Sequence, residues 1–551
     1  MKLRASLYLV LLVFLFVGKS VLIGQCWELN TSGEFVKPGD NEIVFTPQGE
    51  EGGSKLSWGI QQDSTLVALG GQVVWTDQDG KEAVPLLEQK TVDLENGIVQ
   101  AIFSFNDLSI DLKIQLEATQ QGILMTVFCD EPLPSTLRNE MALRLSLKPA
   151  SFLETAFSAD QIAGVFPLYP SPEYSVWPDG RQWLLPLAGG RSFTFVGKKY
   201  TLGIKALAGG LSLEDRRESW SAGFFNLFTL LPIGKTGKLA EWEIEVSSTR
   251  SEIMSDDILF VQTGYHARQA KFAILPDGER RQVYAKLLKM NIGGEFSPVF
   301  TGPVIAVNTL GRQQLRFDFS PIQEEGLYVI QYGEQHSKPI IISEWVYEQL
   351  GKNLLSEWLT QNAKMAIEHA TGEEQHQEHG TLDWNEIEPN FDRHIEVLSS
   401  TYAELSKKDQ NTFRRLAARW SKEHSQQGGH LSLIPPMEVN YEVLLSNALN
   451  CWFLHQVFPE LVDVGLVFSS LDYIHGLHAD GGRSLVAGVG QQSCYLNDNL
   501  PMPVKGSFWQ APQLTNKEDF DSKSNLLMGS YLQLLYVARN SLNPREKRKG
   551  Y

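Results

Sequence analysis

The chain has 551 residues, 42% hydrophobic and 21% charged, with a formal net charge of −17. This is ordinary globular composition, enough for about two to four domains with cores of their own. A surface this acidic repels phosphate backbones and anionic lipid, which excludes nucleic acid and membrane surfaces as partners and leaves neutral ligands such as sugars unaffected.

Lys2 and Arg4 precede an apolar run from Leu7 to Val17, followed by Gly18, Lys19 and Ser20. This pattern predicts an export signal over residues 1–25, cut after Gly24 or Gln25, and so a secreted or otherwise extracytoplasmic protein of the periplasm or cell surface. The alternative is an uncleaved anchor extended by Val21-Leu22-Ile23, which Lys19 interrupts. No later segment is long and apolar enough to span a bilayer. Cys26, Cys129, Cys451 and Cys494 are spaced like no zinc site. The exported context permits a disulfide between Cys451 and Cys494, and buried free thiols remain the other reading.

Residues 26–250 read as a large antiparallel β-sandwich. Val99, Ala101, Phe103 and Phe105 alternate with polar residues, Asn106-Asp107 supplies a turn, and Ile110, Leu112, Ile114 and Leu116 alternate again. Trp242, Ile244 and Val246 repeat the pattern before a polar linker at Ser247–Ser255. Residues 257–343 carry short strands at Phe272–Leu275, Leu315–Phe319 and Leu327–Ile330, the size and pattern of an immunoglobulin-like sandwich. From Trp345 the period becomes helical over 345–543. Leu350, Leu354, Leu355 and Trp358 share a face, as do Ile395, Leu398, Tyr402 and Leu405, and Phe413, Leu416, Ala417 and Trp420. Tyr441–Phe458, Asp463–Tyr473 and Leu526–Ala538 complete the expected helices. The fold class is therefore multi-domain β plus α.

Two stretches resemble the cellulases of glycoside hydrolase family 9. Val261-Gln262-Thr263-Gly264-Tyr265, Phe317-Asp318-Phe319-Ser320 and Glu325-Gly326-Leu327-Tyr328 resemble the immunoglobulin-like module that precedes the family's catalytic domain. Leu471-Asp472-Tyr473-Ile474-His475-Gly476 and Ser484-Leu485-Val486-Ala487-Gly488-Val489-Gly490 resemble its last helices and the glycine-rich loop after them. The resemblance implies a toroid of paired helices, β-glucan as substrate, and inverting hydrolysis by an acid and a base across the sugar. At about 11 residues per helix plus loops, the chain after Trp345 is too short for the whole toroid, so a truncated one is expected.

The family's acid is a glutamate in an Asn-Glu pair opening the last helix, and the matching pair here is Asn525-Leu526. Leucine donates no proton. Asp519 and Asp521 are expected to lie before that helix. The segment corresponding to the family's base is Trp384-Asn385-Glu386-Ile387-Glu388-Pro389. Glu386 and Glu388 are the candidate catalytic carboxylates, and the plain alternative is a solvated loop-to-helix entry. Trp384 and Trp509 fall in cleft-forming segments of the resemblance and are the candidate sugar-stacking residues. His376 and His379 lie in a polar stretch without a third ligand, so no metal is expected. Gly488-Val489-Gly490 follows a helix and lacks a third glycine, so no dinucleotide cofactor is expected. The leading reading is an exported, cellulase-like binder of β-glucan with lost or very weak hydrolase activity. The alternatives are an active endoglucanase using Glu386 or Glu388, and a structural or interaction protein without a sugar ligand.

Overall fold

The computed structural model describes residues 27–351, 382–493 and 517–542, with short breaks that include 171–173, 177–181 and 218–222. The expected export signal, Cys26, Cys494, His376, His379 and Trp509 lie outside the described residues. No described helix is long and apolar enough to cross a membrane. Strands outweigh helices, and the two are segregated along the chain as a β then α arrangement.

The chain falls into two compact units. The first comprises Met1–Ser151, Pro172–Thr249 and Ile292–Gly294, and the second Phe152–Ser171, Arg250–Asn291 and Glu295–Tyr551. The segment Phe152–Ser171, inside the expected 26–250 block, is thus counted with the second unit.

The first unit is built on two antiparallel sheets. One includes Thr65–Thr76, Met141–Leu147, Phe225–Leu230 and Leu211–Asp215 as successive neighbours. The other runs from Tyr200–Ala208 through Gly237–Ser248, Ile123–Cys129 and Ile110–Ala118 to Ile98–Phe105. Alternation decides which face is buried: Leu112, Ile114 and Leu116 are buried, whereas Asp111 is exposed. The hairpin joining Ile98–Phe105 to Ile110–Ala118 turns at Asn106–Leu108, with Ser109 left-handed at φ 53°. Buried Trp242 donates its indole N–H to Thr229 Oγ1 at 2.9 Å, which joins the inward faces of the two sheets. The strand at Trp242 continues to Ser248, into the stretch expected to be linker, because its alternation persists.

In the second unit, residues 254–291 and 295–342 form a sheet that wraps around one core. The strand Phe296–Thr309 pairs along its first half with Tyr284–Met290 and along its second half with Arg312–Asp318. It thereby brings Leu287 and Ile330 into the same apolar cluster as Ala273 and Phe317.

The helical part comprises α1 (Trp384–Ile387), α2 (Phe391–Ser400), α3 (Lys407–His424), α4 (Tyr441–Val457), α5 (Gly465–Ile474) and α6 (Lys517–Leu542). α4 buries Tyr441, Leu444, Leu445, Ala448, Cys451 and Leu454 and packs against α2, α5 and α6. Asn440 caps it by accepting from the amides of Glu442 and Val443. α2 stops at Ser400, short of the expected Leu405, and Tyr402–Glu404 forms a tighter turn that sets the Tyr402 ring against Phe413 and Phe458. α6 begins at Lys517 rather than at Asn525, because the preceding polar run is itself compatible with helix and its acidic residues suit a helix start. Asn525-Leu526 therefore lie inside the helix, and Asp519 and Asp521 in its first turns, not before it.

Candidate functional site

The carboxylates singled out by sequence sit at the start of the helical part. Asp383 caps α1, its side chain accepting from the Asn385 amide at 3.0 Å. Asp383-x-x-Glu386 has the spacing of a capping box, which favours a carboxylate at the third helical position for purely local reasons. Glu386 is exposed. Glu388 forms ion pairs with Arg419 at 2.8 Å and Arg415 at 3.7 Å, both on α3. Trp384 is half-buried and donates its indole N–H to Asp409 Oδ1 at 2.7 Å. A hydrogen bond from Ser406, and then that from Trp384, hold the Asp409 carboxyl below the usual carboxylate range. These residues lie along α3, Trp384 at its first turn and Glu388 farther along it.

A second constellation is buried where Gln262–Tyr265 meets α5 and the loop Ser484–Ser493. The Gln262 amide donates to His475 O at 2.8 Å, and the Gln491 amide donates to Gln262 O at 3.0 Å. Thr263 Oγ1 lies 3.0 Å from His475 Nδ1, and His475 Nε2 lies 2.6 Å from the Tyr531 hydroxyl on α6. Gln269 Nε2 donates to Asp472 Oδ1 at 3.1 Å, and the Tyr347 hydroxyl donates to Gln269 Oε1 at 2.5 Å. Two glycines make the close approach possible. A Cβ on Gly476 would stand 2.9 Å from Gln262 Cγ, and one on Gly490 2.8 Å from Gln262 Cβ; both residues have positive φ. The segments that carry the family resemblance are therefore partners in one buried hydrogen-bonded junction.

Burial sets the electrostatics of this junction. It pushes the Asp472 carboxyl up to about 8, opposed only by the bond from Gln269. It pulls His475 down to about 3 and His266 to about 4, so both imidazoles are neutral near pH 7. Lys271 is wholly buried, its ammonium donating to Ala267 O and Gln269 O, and burial lowers it to about 8. Sequence reasoning treated Asp472 only as part of a matched string. The available signal was an aspartate in the last turn of a largely apolar helix and a histidine directly after its end.

A cavity of about 70 Å³ lies against the glycine-rich loop, lined among others by Gly164, Phe166, Thr263, Gln349 and Gly490. None of its lining side chains titrates. Ser493 closes the loop by donating its amide and hydroxyl to Glu154 Oε1 at 3.1 and 2.7 Å. Among the described residues no group of three or more His, Cys, Asp or Glu side chains is placed to hold a metal. Cys451 is a buried free thiol whose Sγ donates to Asp463 O at 3.0 Å; Cys494, its expected partner, lies outside the described residues.

No protein-family model matches the chain, and neither does any curated protein sequence. Among solved structures, the Bacteroides ovatus GH9 structure is similar at a TM-score of 0.35 and 11% identity, covering 52% of this chain and 99% of that one. A metagenome-derived glycoside hydrolase family 9 endoglucanase is similar at a TM-score of 0.16 and 22% identity, over 19% of this chain and 21% of that one. A putative aldose 1-epimerase of Escherichia coli K12 is similar at a TM-score of 0.24 and 11% identity, over 41% of this chain and 99% of that one. At such TM-scores these partial likenesses establish neither the fold nor the activity of this chain.

Proposed function

We propose that the chain is an exported relative of the family 9 cellulases that binds β-glucan and has lost all or nearly all hydrolase activity. In this reading residues 257–343 are the immunoglobulin-like module and residues 345–543 a shortened helical toroid. The observation that carries it is the junction at Gln262. Short matching segments far apart in the sequence bury one another's polar groups, as parts of one inherited architecture should. The loss of chemistry is supported by the acid position, which a hydrocarbon side chain occupies at Leu526. It is supported too by Glu388, which is engaged by Arg419 and Arg415, whereas an inverting enzyme needs one carboxyl free to donate and another free to activate water.

The purified chain is expected to release no reducing ends from soluble β-1,4-glucan above background and to be retained on insoluble cellulose. Turnover of about 1 per second or faster overturns the loss of activity. If that turnover disappears on Glu386→Gln and Glu388→Gln together, the active-endoglucanase alternative holds. Passage through cellulose without retention favours the structural or interaction reading.

A further inference from the structure

The cavity beside the glycine-rich loop has an unfinished sheet edge in its wall. The strand Ile162–Val165 pairs on one side only, with Ala156–Ala159, and ends its sheet. The Phe166 N–H donates to Thr155 O at 2.9 Å, and the register pairs Gly164 with Phe157 and Ile162 with Ala159. Hydrogen-bonded and non-bonded pairs alternate along an antiparallel ladder. Ile162, Gly164 and Phe166 therefore turn their N–H and C=O groups toward the partner strand, and Ala163 and Val165 turn theirs to the open edge. The consecutive residues Ala163 to Pro167 all line the cavity.

That edge is buried without being satisfied. Ala163 is only 1% exposed, yet its outward N–H and C=O have no partner among the described residues, and neither have those of Val165. Buried backbone groups are almost always paired, so a cavity walled by donors and acceptors at strand spacing suits a matching backbone. Val165, Pro167, Gln349 and Leu350 are half-buried, which gives the cavity a mouth. The rest of the lining sets what that backbone can carry. Val346, Leu350 and Val489 are apolar, and Gly488 and Gly490 leave the loop without side chains at two positions. Gln349 Oε1 stands 3.5 Å from where a Cβ on Gly164 would be, so its amide lies beside the strand. No lining side chain is charged, and a charged segment would lose its hydration here with nothing to replace it.

We propose that Ile162–Val165 is a docking edge for an extended, uncharged peptide segment of a partner protein, which adds to the sheet as one more strand. Residues of the segment opposite Ala163 and Val165 each exchange a pair of N–H···O=C bonds with them, and these main-chain bonds supply the affinity. Side chains that alternate toward the cavity must be small or apolar to fit beside Val346, Leu350 and Val489, and an amide or hydroxyl among them meets Gln349. A strand edge spaces its donors and acceptors for another backbone and not for the hydroxyls of a sugar ring. The site is therefore separate from the glucan binding proposed above and does not rest on it.

The test begins with a bead-bound library of capped octapeptides built from Gly, Ala, Ser, Thr, Val and Gln, offered to the full chain beside a second library in which Asp, Glu, Lys and Arg fill alternate positions. The uncharged library is expected to yield binders and the charged one none. Hydrogen exchange on the unaltered chain with the best peptide then reads the edge itself: the amides of Ala163 and Val165 should slow at least about tenfold, and cellohexaose should leave them unchanged. Val165→Pro removes an outward N–H and none of the bonds to Ala156–Ala159, so it should weaken the peptide at least about tenfold. Val165→Ala keeps the N–H and should bind within about twofold of the wild type. Thermal melts check both variants, and if Val165→Pro does not fold the exchange measurement decides. The proposal is overturned if no uncharged peptide binds, if the charged library binds as well, or if bound peptide leaves the Ala163 and Val165 amides exchanging as before. A folded Val165→Pro that binds as tightly as the wild type overturns it too. So does slowing of the same amides by cellohexaose, which would instead put the glucan at this edge.

Discussion

At the scale of single residues, Asp472 makes the sharpest prediction. Its carboxyl titrates at 3.8 when free and is pushed up to about 8 by burial. Between those values the folded chain keeps a proton that the unfolded chain has released. The stability it contributes is therefore complete below the lower value and is lost as pH rises toward the upper one. His475 acts in the opposite sense, because its pKa falls from 6.5 to about 3; its contribution is present above 6.5 and lost on the acid side. From about pH 6.5 to 8 His266, His475 and Lys271 all act against Asp472, so it is read from the stability difference between the wild type and a non-titrating variant, which should shift against the wild type by on the order of 2 kcal/mol. Asp472→Asn keeps an acceptor for Gln269 and does not titrate, so denaturant unfolding of both chains at the two pH values measures that shift. A difference between the wild type and Asp472→Asn that is level across this window contradicts the burial assigned to Asp472. None of this was legible in the sequence, where an aspartate in a helix reads as a solvated charge until the partner at Gln269 is placed beside it. Trp384 was legible only through its segment, and the structure adds that its indole N–H is held by Asp409.

At the scale of elements, periodicity did most of the work. The strand Phe272–Leu275 has the bounds its apolar run implies, and Ile110–Ala118 follows its alternation. α3 extends both ways from the face Phe413, Leu416, Ala417 and Trp420. Where the reading failed, the cause was polar sequence. The residues before Asn525 carry no apolar stripe, so the first turns of α6 were invisible, and with them the helical setting of Asp519 and Asp521. Glycines were legible as punctuation, but their reason was not. Gly490 has φ +92°, and the Cβ it lacks would stand 2.8 Å from Gln262 Cβ. Gly490→Ala is therefore expected to cost on the order of 2–3 kcal/mol and to speed amide exchange at Gln491, whose N–H is held by Gln262 O. Urea unfolding and exchange rates matching the wild type would contradict the close approach.

At the scale of the whole molecule, the order of β followed by α was legible because the period changes from two to three-and-a-half near Trp345. The compact units were not, since Phe152–Ser171 carries no local mark of its membership in the second. A ligand without charge and a protein of net charge −17 together predict that retention on cellulose is unchanged when ionic strength is raised from about 0.02 to 0.5 M, because there is no screened attraction to lose. A steep loss with salt would point to a charged ligand. The junction at Gln262 also orders events in time. Synthesis delivers Gln262 and Thr263 long before His475, a separation of 212 residues for the Thr263 contact, and loop closure on that scale is slow. A nascent or prematurely terminated chain that stops short of Gly476 carries these polar groups with nothing to receive them, so the module emerges early from the ribosome and becomes complete only when the C-terminal helices arrive.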